Sequence, residues 1–232
     1  RFSRPTDQVD RFSDLSLNLA ATFRLNSKQA FYFRTARGFR APQTTELYRL
    51  QSGQLNAFID SENITSIELG WRGRNLGSFS FDTVLFKMNK EDVVFQDTNR
   101  FNIFGAKTSH FGLEASVSAS FDNGFYFSSA MTAARHRYDG SIELLGAKRD
   151  IDGNDIDTSP RFFGSLQIGW NSLKDKGLAL FEGEVITLDE YYLDPDNLHK
   201  YQGHTLVNIN NKWMLGPNLS LWLRVKNLLD KS

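Results

Sequence analysis

Thr108–Phe121, TSHFGLEASVSASF, decides how the rest of this chain is read. With a period of two, Phe111, Leu113, Ala115, Val117, Ala119 and Phe121 fall on one face. His110, Gly112, Glu114, Ser116, Ser118 and Ser120 fall on the other. A two-faced strand of this length exceeds the roughly five or six residues usual in globular proteins, and it matches the ~9–11 residues with which a tilted strand crosses a bilayer.

The same split recurs at both ends of the chain. Leu15, Leu17, Leu19, Ala21 and Phe23 oppose Ser16, Asn18, Ala20 and Thr22, and Leu219, Leu221, Leu223 and Val225 oppose Ser220, Trp222, Arg224 and Lys226. The pattern predicts strands over 13–25, 29–39, 63–73, 77–90, 108–121, 124–137, 160–171, 177–190, 204–214 and 218–228. Short turns with Gly or Asn join them in LNSKQ, GRNLG, DNG, NSLKDKG and LGPN, whereas 40–62, 91–107, 138–159 and 191–203 are long. Short connections at one end and long ones at the other are the mark of an up-and-down transmembrane barrel. Phe23, Phe31, Trp71, Phe79, Phe121, Phe125, Trp170 and Trp213 flank the short turns, as an interfacial aromatic girdle does.

The expected fold class is therefore all-β. It is an antiparallel up-and-down transmembrane β-barrel fragment of about ten long strands, with short periplasmic turns and long extracellular loops. Residues 1–232 form one partial domain in this reading, because RFSRPTDQVD and NLLDKS resemble neither a mature start nor a finished end. A soluble sandwich or propeller, with the apolar faces buried in a core, is the alternative. In 177–190, Leu178 and Leu180 share a parity with Glu182 and Glu184, so a bulge or register change is expected there.

Composition trims the function classes. The 27 basic and 27 acidic residues cancel, which gives no general attraction for nucleic acid or anionic lipid. There is no cysteine, so disulfide scaffolds and cysteine-based sites are excluded. No window approaches the ~18 apolar residues of a membrane helix. No Ser-His-Asp pattern, phosphate loop or nucleophile elbow marks an enzyme, and Glu182 and Glu184, two apart on one face, do not flank a sugar.

Five segments in order, FYFRTARGFRAPQTTELY, ITSIELGWRG, SHFGLEASVSASF, YYLDPDN with YQGHTLVNI, and VKNLLDKS, resemble the barrel of TonB-dependent outer-membrane receptors. The resemblance implies a barrel of about 22 strands with a plugged lumen, of which this chain carries under half, without plug or last strand. It implies active uptake of a scarce, bulky nutrient, a ferric siderophore or similar metal chelate, with no cofactor. The implied partners are outer-membrane lipid and the TonB-ExbB-ExbD complex, which acts through the plug; no nucleic acid is expected. The family's haem receptors carry a histidine and an Asn-Pro-Asn-Leu segment that are absent between Pro42 and Glu68, which disfavours haem. A passive channel, an adhesin or a soluble all-β carbohydrate-binding module are the rival readings.

Arg37 and Arg40 beside the first long loop, Tyr48 and Arg49 further along it, and Tyr138, Tyr191 and Tyr192 at later loops are the candidate ligand-binding residues, a basic and aromatic rim for an anionic chelate. Against that, Arg40 and Glu46 are expected to pair and fold the loop while Pro42 stiffens it. Phe39, Arg40, Pro42, Glu46, Leu47, Asn227 and Asp230 carry the family motif in a structural capacity. His110, His136, His199 and His204 lack the spacing of metal ligands. Asp150, Asp152, Asp155 and Asp157 begin like a calcium loop, but Asp155 stands where such a turn wants glycine and Arg161 where a glutamate should close it. No metal is expected; calcium at these four aspartates is the weak alternative.

Overall fold

A computed structural model describes residues 9–48, 59–96, 100–140, 150–172 and 179–231. One antiparallel sheet contains β1 (Leu17–Arg24), β2 (Gln29–Arg40), β3 (Glu62–Leu76), β4 (Phe79–Gln96), β5 (Asn102–Ser120), β6 (Phe125–Tyr138), β7 (Phe162–Asn171), β8 (Ala179–Leu188), β11 (His204–Gly216) and β12 (Leu219–Val225), in that order. Each strand pairs with its neighbour in sequence, except that β9 (Tyr191–Tyr192) and β10 (Lys200–Tyr201) form a separate ribbon between β8 and β11.

Turn chemistry sets the registers. In the β1–β2 turn, Asn26 Oδ1 accepts the backbone N–H of Lys28 and of Gln29, both at 2.9 Å. In the β5–β6 turn the Phe121 N–H donates to the Phe125 carbonyl at 2.8 Å. Ser172 Oγ closes β7 onto β8 by accepting from the Ala179 N–H at 3.0 Å.

These registers sort side chains into rows that alternate between faces. Phe125, Trp170, Phe181, Asn211 and Leu223 form one row, and Tyr126, Gly169, Glu182, Asn210 and Arg224 form the next, on the opposite face. The first face stays apolar and open: Leu19, Phe111, Ile168 and Leu221 are each more than half exposed. A sandwich would have covered them. Aromatic rings near the short turns touch along this face, with Phe31–Trp71 centroids 5.7 Å apart, Trp170–Phe181 6.1 Å and Phe181–Trp213 6.0 Å.

The apolar band has an upper limit. The row Phe33, Leu69, Leu85, Leu113, Ala133 is wholly apolar, the next on that face brings in Lys87 and Arg135, and the one after, Arg37, Thr65, Asn89, Ser109, Arg137, is polar from β2 to β6, with Leu17 of β1 at its end. Above this line β4 and β5 continue, where 91–107 was expected to be loop. Register shifts between Lys90 and Phe95, with positive φ at Asp92 (58°) and Gly105 (76°), break the alternation there without ending the pairing. The buried cluster of Ile103, Tyr138 and Ile151, with Phe95 and Ile156 against it, lies in this upper layer, so the buried apolar core sits beneath the loops and not between sheets.

Two further expectations are corrected. β1 starts at Leu17, not at residue 13. β8 pairs without a register shift on both sides, so the bulge expected around Glu182 and Glu184 is absent within Ala179–Leu188; the carboxylates lie on the polar face, and Phe181, Gly183 and Val185 on the apolar one.

A cross-strand device recurs on the polar face. Tyr32 lies over Gly70 and its hydroxyl donates to Asp82 at 3.1 Å; Tyr126 lies over Gly169 and donates to Glu182 at 2.6 Å. A Cβ at Gly169 would come within 2.4 Å of the Tyr126 ring. Gly169→Ala is expected to cost about 1–3 kcal/mol of stability by overpacking, and much less in a Tyr126→Ser background, since the two sites touch. Urea unfolding in detergent measures both arms; equal costs in the two backgrounds contradict the clash.

Candidate functional site

The long connections gather where β2, β4, β6 and β8 finish. In the first, Arg40 Nη1 donates to both Glu46 oxygens at 3.2 and 3.0 Å, while Nε and Nη2 donate to Glu62 Oε2 at 3.1 and 2.7 Å. Glu46 also accepts the Gln43 N–H at 2.6 Å, capping the one-turn helix α1 (Thr44–Leu47) that follows Pro42. Lys90 reaches Glu62 at 3.4 Å. The Arg40 guanidinium is thus shared between two carboxylates and fastens the loop to β3. Arg37, an odd number of residues away, points to the other face, beside Asn63 at 3.4 Å and Asp14 at 3.7 Å. The two arginines therefore do not make one rim. Phe39 shares the face of Arg37, partly exposed like Pro42 and Leu47. Tyr48 donates its hydroxyl to Asp10; Arg49 lies outside the described residues.

Tyr138 is buried, its ring 5.2 Å from Phe95 and its hydroxyl donating to Asp157 at 2.8 Å, so it supports the loops from beneath. The acidic loop divides its carboxylates among protein partners. Asp152 accepts the Gly140 N–H at 2.7 Å, Asp150 accepts the Asp152 N–H at 3.0 Å, and Asp155 receives Arg161 Nη2 at 2.5 Å with Arg137 Nε at 3.8 Å. Among the described residues no group of three or more His, Cys, Asp or Glu is placed to hold a metal ion.

The β9–β10 ribbon docks on this acidic loop. Asn197 donates to the Asp155 carbonyl at 2.8 Å and accepts the Asp155 N–H at 2.9 Å, Asn154 donates to the Pro195 carbonyl at 2.9 Å, and the Thr158 N–H donates to the Tyr192 carbonyl at 2.8 Å. Asp194, almost buried, holds the ribbon's turn: it accepts the backbone N–H of Leu198 at 3.0 Å and of His199 at 2.8 Å, and the His199 ring at 2.9 Å. Burial alone would raise the Asp194 carboxyl, but those N–H donors and the ring hold it below the ordinary carboxylate value. Tyr191 stacks against Tyr201 at 5.1 Å, and Lys200 Nζ sits 4.9 Å above the Tyr192 ring.

On the polar face, side chains form ladders across the strands. Glu182 accepts from Tyr126 at 2.6 Å and Asn210 at 3.0 Å; Glu184 accepts from Gln167 at 3.0 Å and Asn208 at 2.8 Å. This is a hydrogen-bonded wall in which each carboxylate is held by neutral donors. Asn227 closes the last turn, donating its N–H to Asn208 and accepting that of Lys231, with Asp230 donating its N–H to the Asn227 carbonyl. The sequence reading missed Asp194 and Asn197 as the joint between loops, although Asp-Pro-Asp-Asn is a turn signal. It also missed the approach of His110 to His136.

Comparison with protein families matches the chain over residues 2–228 to the β-barrel described as TonB dependent receptor-like. Among solved structures, the ferric citrate transporter FecA superposes with a TM-score of 0.76 at 20% identity, covering 93% of this chain and 33% of that one. The ferric yersiniabactin uptake receptor FyuA from Yersinia pestis gives 0.74 at 17%, covering 92% and 32%, and the siderophore receptor PiuA from Acinetobacter baumannii 0.74 at 16%, covering 92% and 31%. At such identities these likenesses show the fold; the chain spans about a third of the length of these receptors. Comparison with curated proteins finds no match.

Because the folded Asp194 carboxyl is lowered, its contribution to holding the ribbon is complete above the unfolded value of about 4 and is lost as pH falls through the lowered folded value. Hydrogen exchange at the Leu198 and His199 amides is expected to accelerate over that acid window in the native protein. In Asp194→Asn the exchange should be fast throughout with no such step; a step of unchanged size in the variant contradicts the assignment.

Proposed function

The chain belongs to the TonB-dependent receptor family, as part of its β-barrel, and on that premise we propose that it comes from an outer-membrane active-transport receptor for a scarce, bulky nutrient, a ferric siderophore or similar metal chelate. Its location is the outer membrane, and the family is one of transport receptors, not enzymes. Residues 1–232 serve as one continuous stretch of the barrel domain.

The observation that carries this reading is the division of one sheet into an open apolar band, a hydrogen-bonded polar face and a loop layer stacked at one end. The ferric receptors among its structural relatives support an iron chelate as the cargo. Energy for passage comes from the TonB-ExbB-ExbD complex, acting through a plug inside the barrel. Tyr191 and Tyr192, with Lys200 over the latter, offer stacking surfaces and a cation to an anionic chelate. Tyr48 and Arg49 contribute from the first loop, and Arg37 from the end of β2 beside it. Arg40 and Tyr138 act on the ligand only through the loops they hold.

Cells lacking the gene should lose accumulation of radiolabelled iron from the cognate chelate in iron-poor medium, and an uncoupler should stop accumulation in the parent while leaving surface binding intact. Accumulation that persists in either arm rules out active transport by this protein. Tyr192→Ala is expected to weaken chelate binding about fivefold, from loss of about 1 kcal/mol of ring interactions. Failure of the gene to respond to iron restriction would move the cargo to another nutrient class.

A further inference from the structure

Met88, His110 and His136 stand side by side in one row of the polar face. Met88 pairs with His110 across β4 and β5, and His110 with His136 across β5 and β6. The imidazoles meet through Nδ1, 2.8 Å apart, and His110 Nε2 lies 2.9 Å from Thr108 Oγ1. His110 and Thr108 are buried, His136 is half-buried, and the loop above is tied to His136 by the Ile156 N–H at 3.0 Å.

We propose that this row is a transition-metal site. His110 Nδ1 and His136 Nδ1 ligate one ion, zinc(II) or copper(I), with the thioether of Met88 as a third donor. The site lies in the barrel wall at the upper edge of the apolar band and does not rest on the ferric-chelate reading.

The geometry of the pair carries this. A first-row ion sits about 2.0–2.1 Å from each imidazole nitrogen, which places the two nitrogens about 2.9–3.3 Å apart for angles between square and tetrahedral. The observed 2.8 Å is within a few tenths of an ångström of that bite, so side-chain rotation suffices to open it. Two neutral imidazoles in this contact share one proton, the Nδ1–H of one ring donating to the Nδ1 lone pair of the other. For both nitrogens to ligate, that ring loses its Nδ1 proton to water and takes one from water at Nε2, so no net charge is gained. Thr108 stabilises the required form of His110, because its hydroxyl oxygen accepts from Nε2–H and leaves the Nδ1 lone pair aimed at His136. An outer partner for the second ring nitrogen is the usual support of a metal-bound imidazole. Imidazole suits zinc and copper alike, while the thioether favours copper(I). His199 and His204 do not compete from within the row: the first is engaged by Asp194, the second by the Tyr201 hydroxyl at 2.6 Å.

The test uses the full-length protein in detergent, without a histidine tag and carrying His199→Ala to remove an exposed surface ligand. Titration with zinc(II), and with copper(I) against a competing chelator, is expected to show a single equivalent bound. His110→Ala and His136→Ala should each weaken it by ~100-fold or more, and Thr108→Val by about 10–100-fold through the lost outer partner. Met88→Leu should weaken copper(I) far more than zinc(II). X-ray absorption of the metal-loaded parent keeps the question decidable if a histidine variant misfolds: imidazole back-scattering is expected, and a shell of oxygen donors alone overturns the site. So does the absence of stoichiometric binding by the folded parent, or equal binding by the double histidine variant.

Discussion

Hydrocarbon supplies no hydrogen bonds, and each unpaired peptide group exposed to it costs several kcal/mol. That constraint organises the structure. Strands that pair on both sides satisfy their peptide groups, and the side chains are then free to be sorted by face alone. Among the described residues, eight of the ten strands of the sheet, β2 to β8 and β11, pair on both sides in an up-and-down order, with the β9–β10 ribbon riding above the sheet. The polar face uses a second layer of bonding, since Gln167 and Asn208 donate sideways to Glu184, and Tyr126 and Asn210 to Glu182.

Parity has consequences that spacing along the chain conceals. Arg37 and Arg40 look like a basic pair, but an odd separation on a strand sends them to opposite faces, and only Arg40 meets Glu46 and Glu62. Arg37 instead marks, with Arg137 in the same row, the level at which the outer surface becomes polar. The lipid boundary is thus written in rows across strands, with Lys87 and Arg135 at its edge, where long cationic side chains reach for water.

Most of the wall was legible because two-fold alternation is a direct imprint of the pleat. Where alternation is interrupted, legibility fails: the bulges at Asp92 and Gly105 disguised strand as loop, and short paired segments such as Tyr191–Tyr192 carry too few residues to show a period. The candidate site was legible as a set of loops but not as a set of contacts. Tyr138 read as a loop aromatic, yet the hydrophobic residues it meets, Ile103 at the start of β5 and Ile151 in the loop after β6, lie too far from it in sequence for periodicity to show the contact. His110 and His136 were in principle readable, since they lie equally far from Asn123 in a tight turn, and a regular hairpin pairs residues that are symmetric about its turn.

The loops themselves are held by a repeated solution. Glu62 gathers Arg40 and Lys90, Asp155 gathers Arg161 and Arg137 while its backbone meets Asn197, and Asp194 gathers two N–H groups and His199. Each hub is a carboxylate sheltered from water and shared by several donors, from different segments at Glu62 and Asp155 and from one turn at Asp194, an arrangement of charge-assisted bonds that holds geometry firmly. Lone surface ion pairs contribute little by comparison. A loop layer built on such anchors keeps its base on the strand ends, while Tyr191 and Tyr192 are held within their own ribbon by Tyr201, Lys200 and the Thr158 N–H.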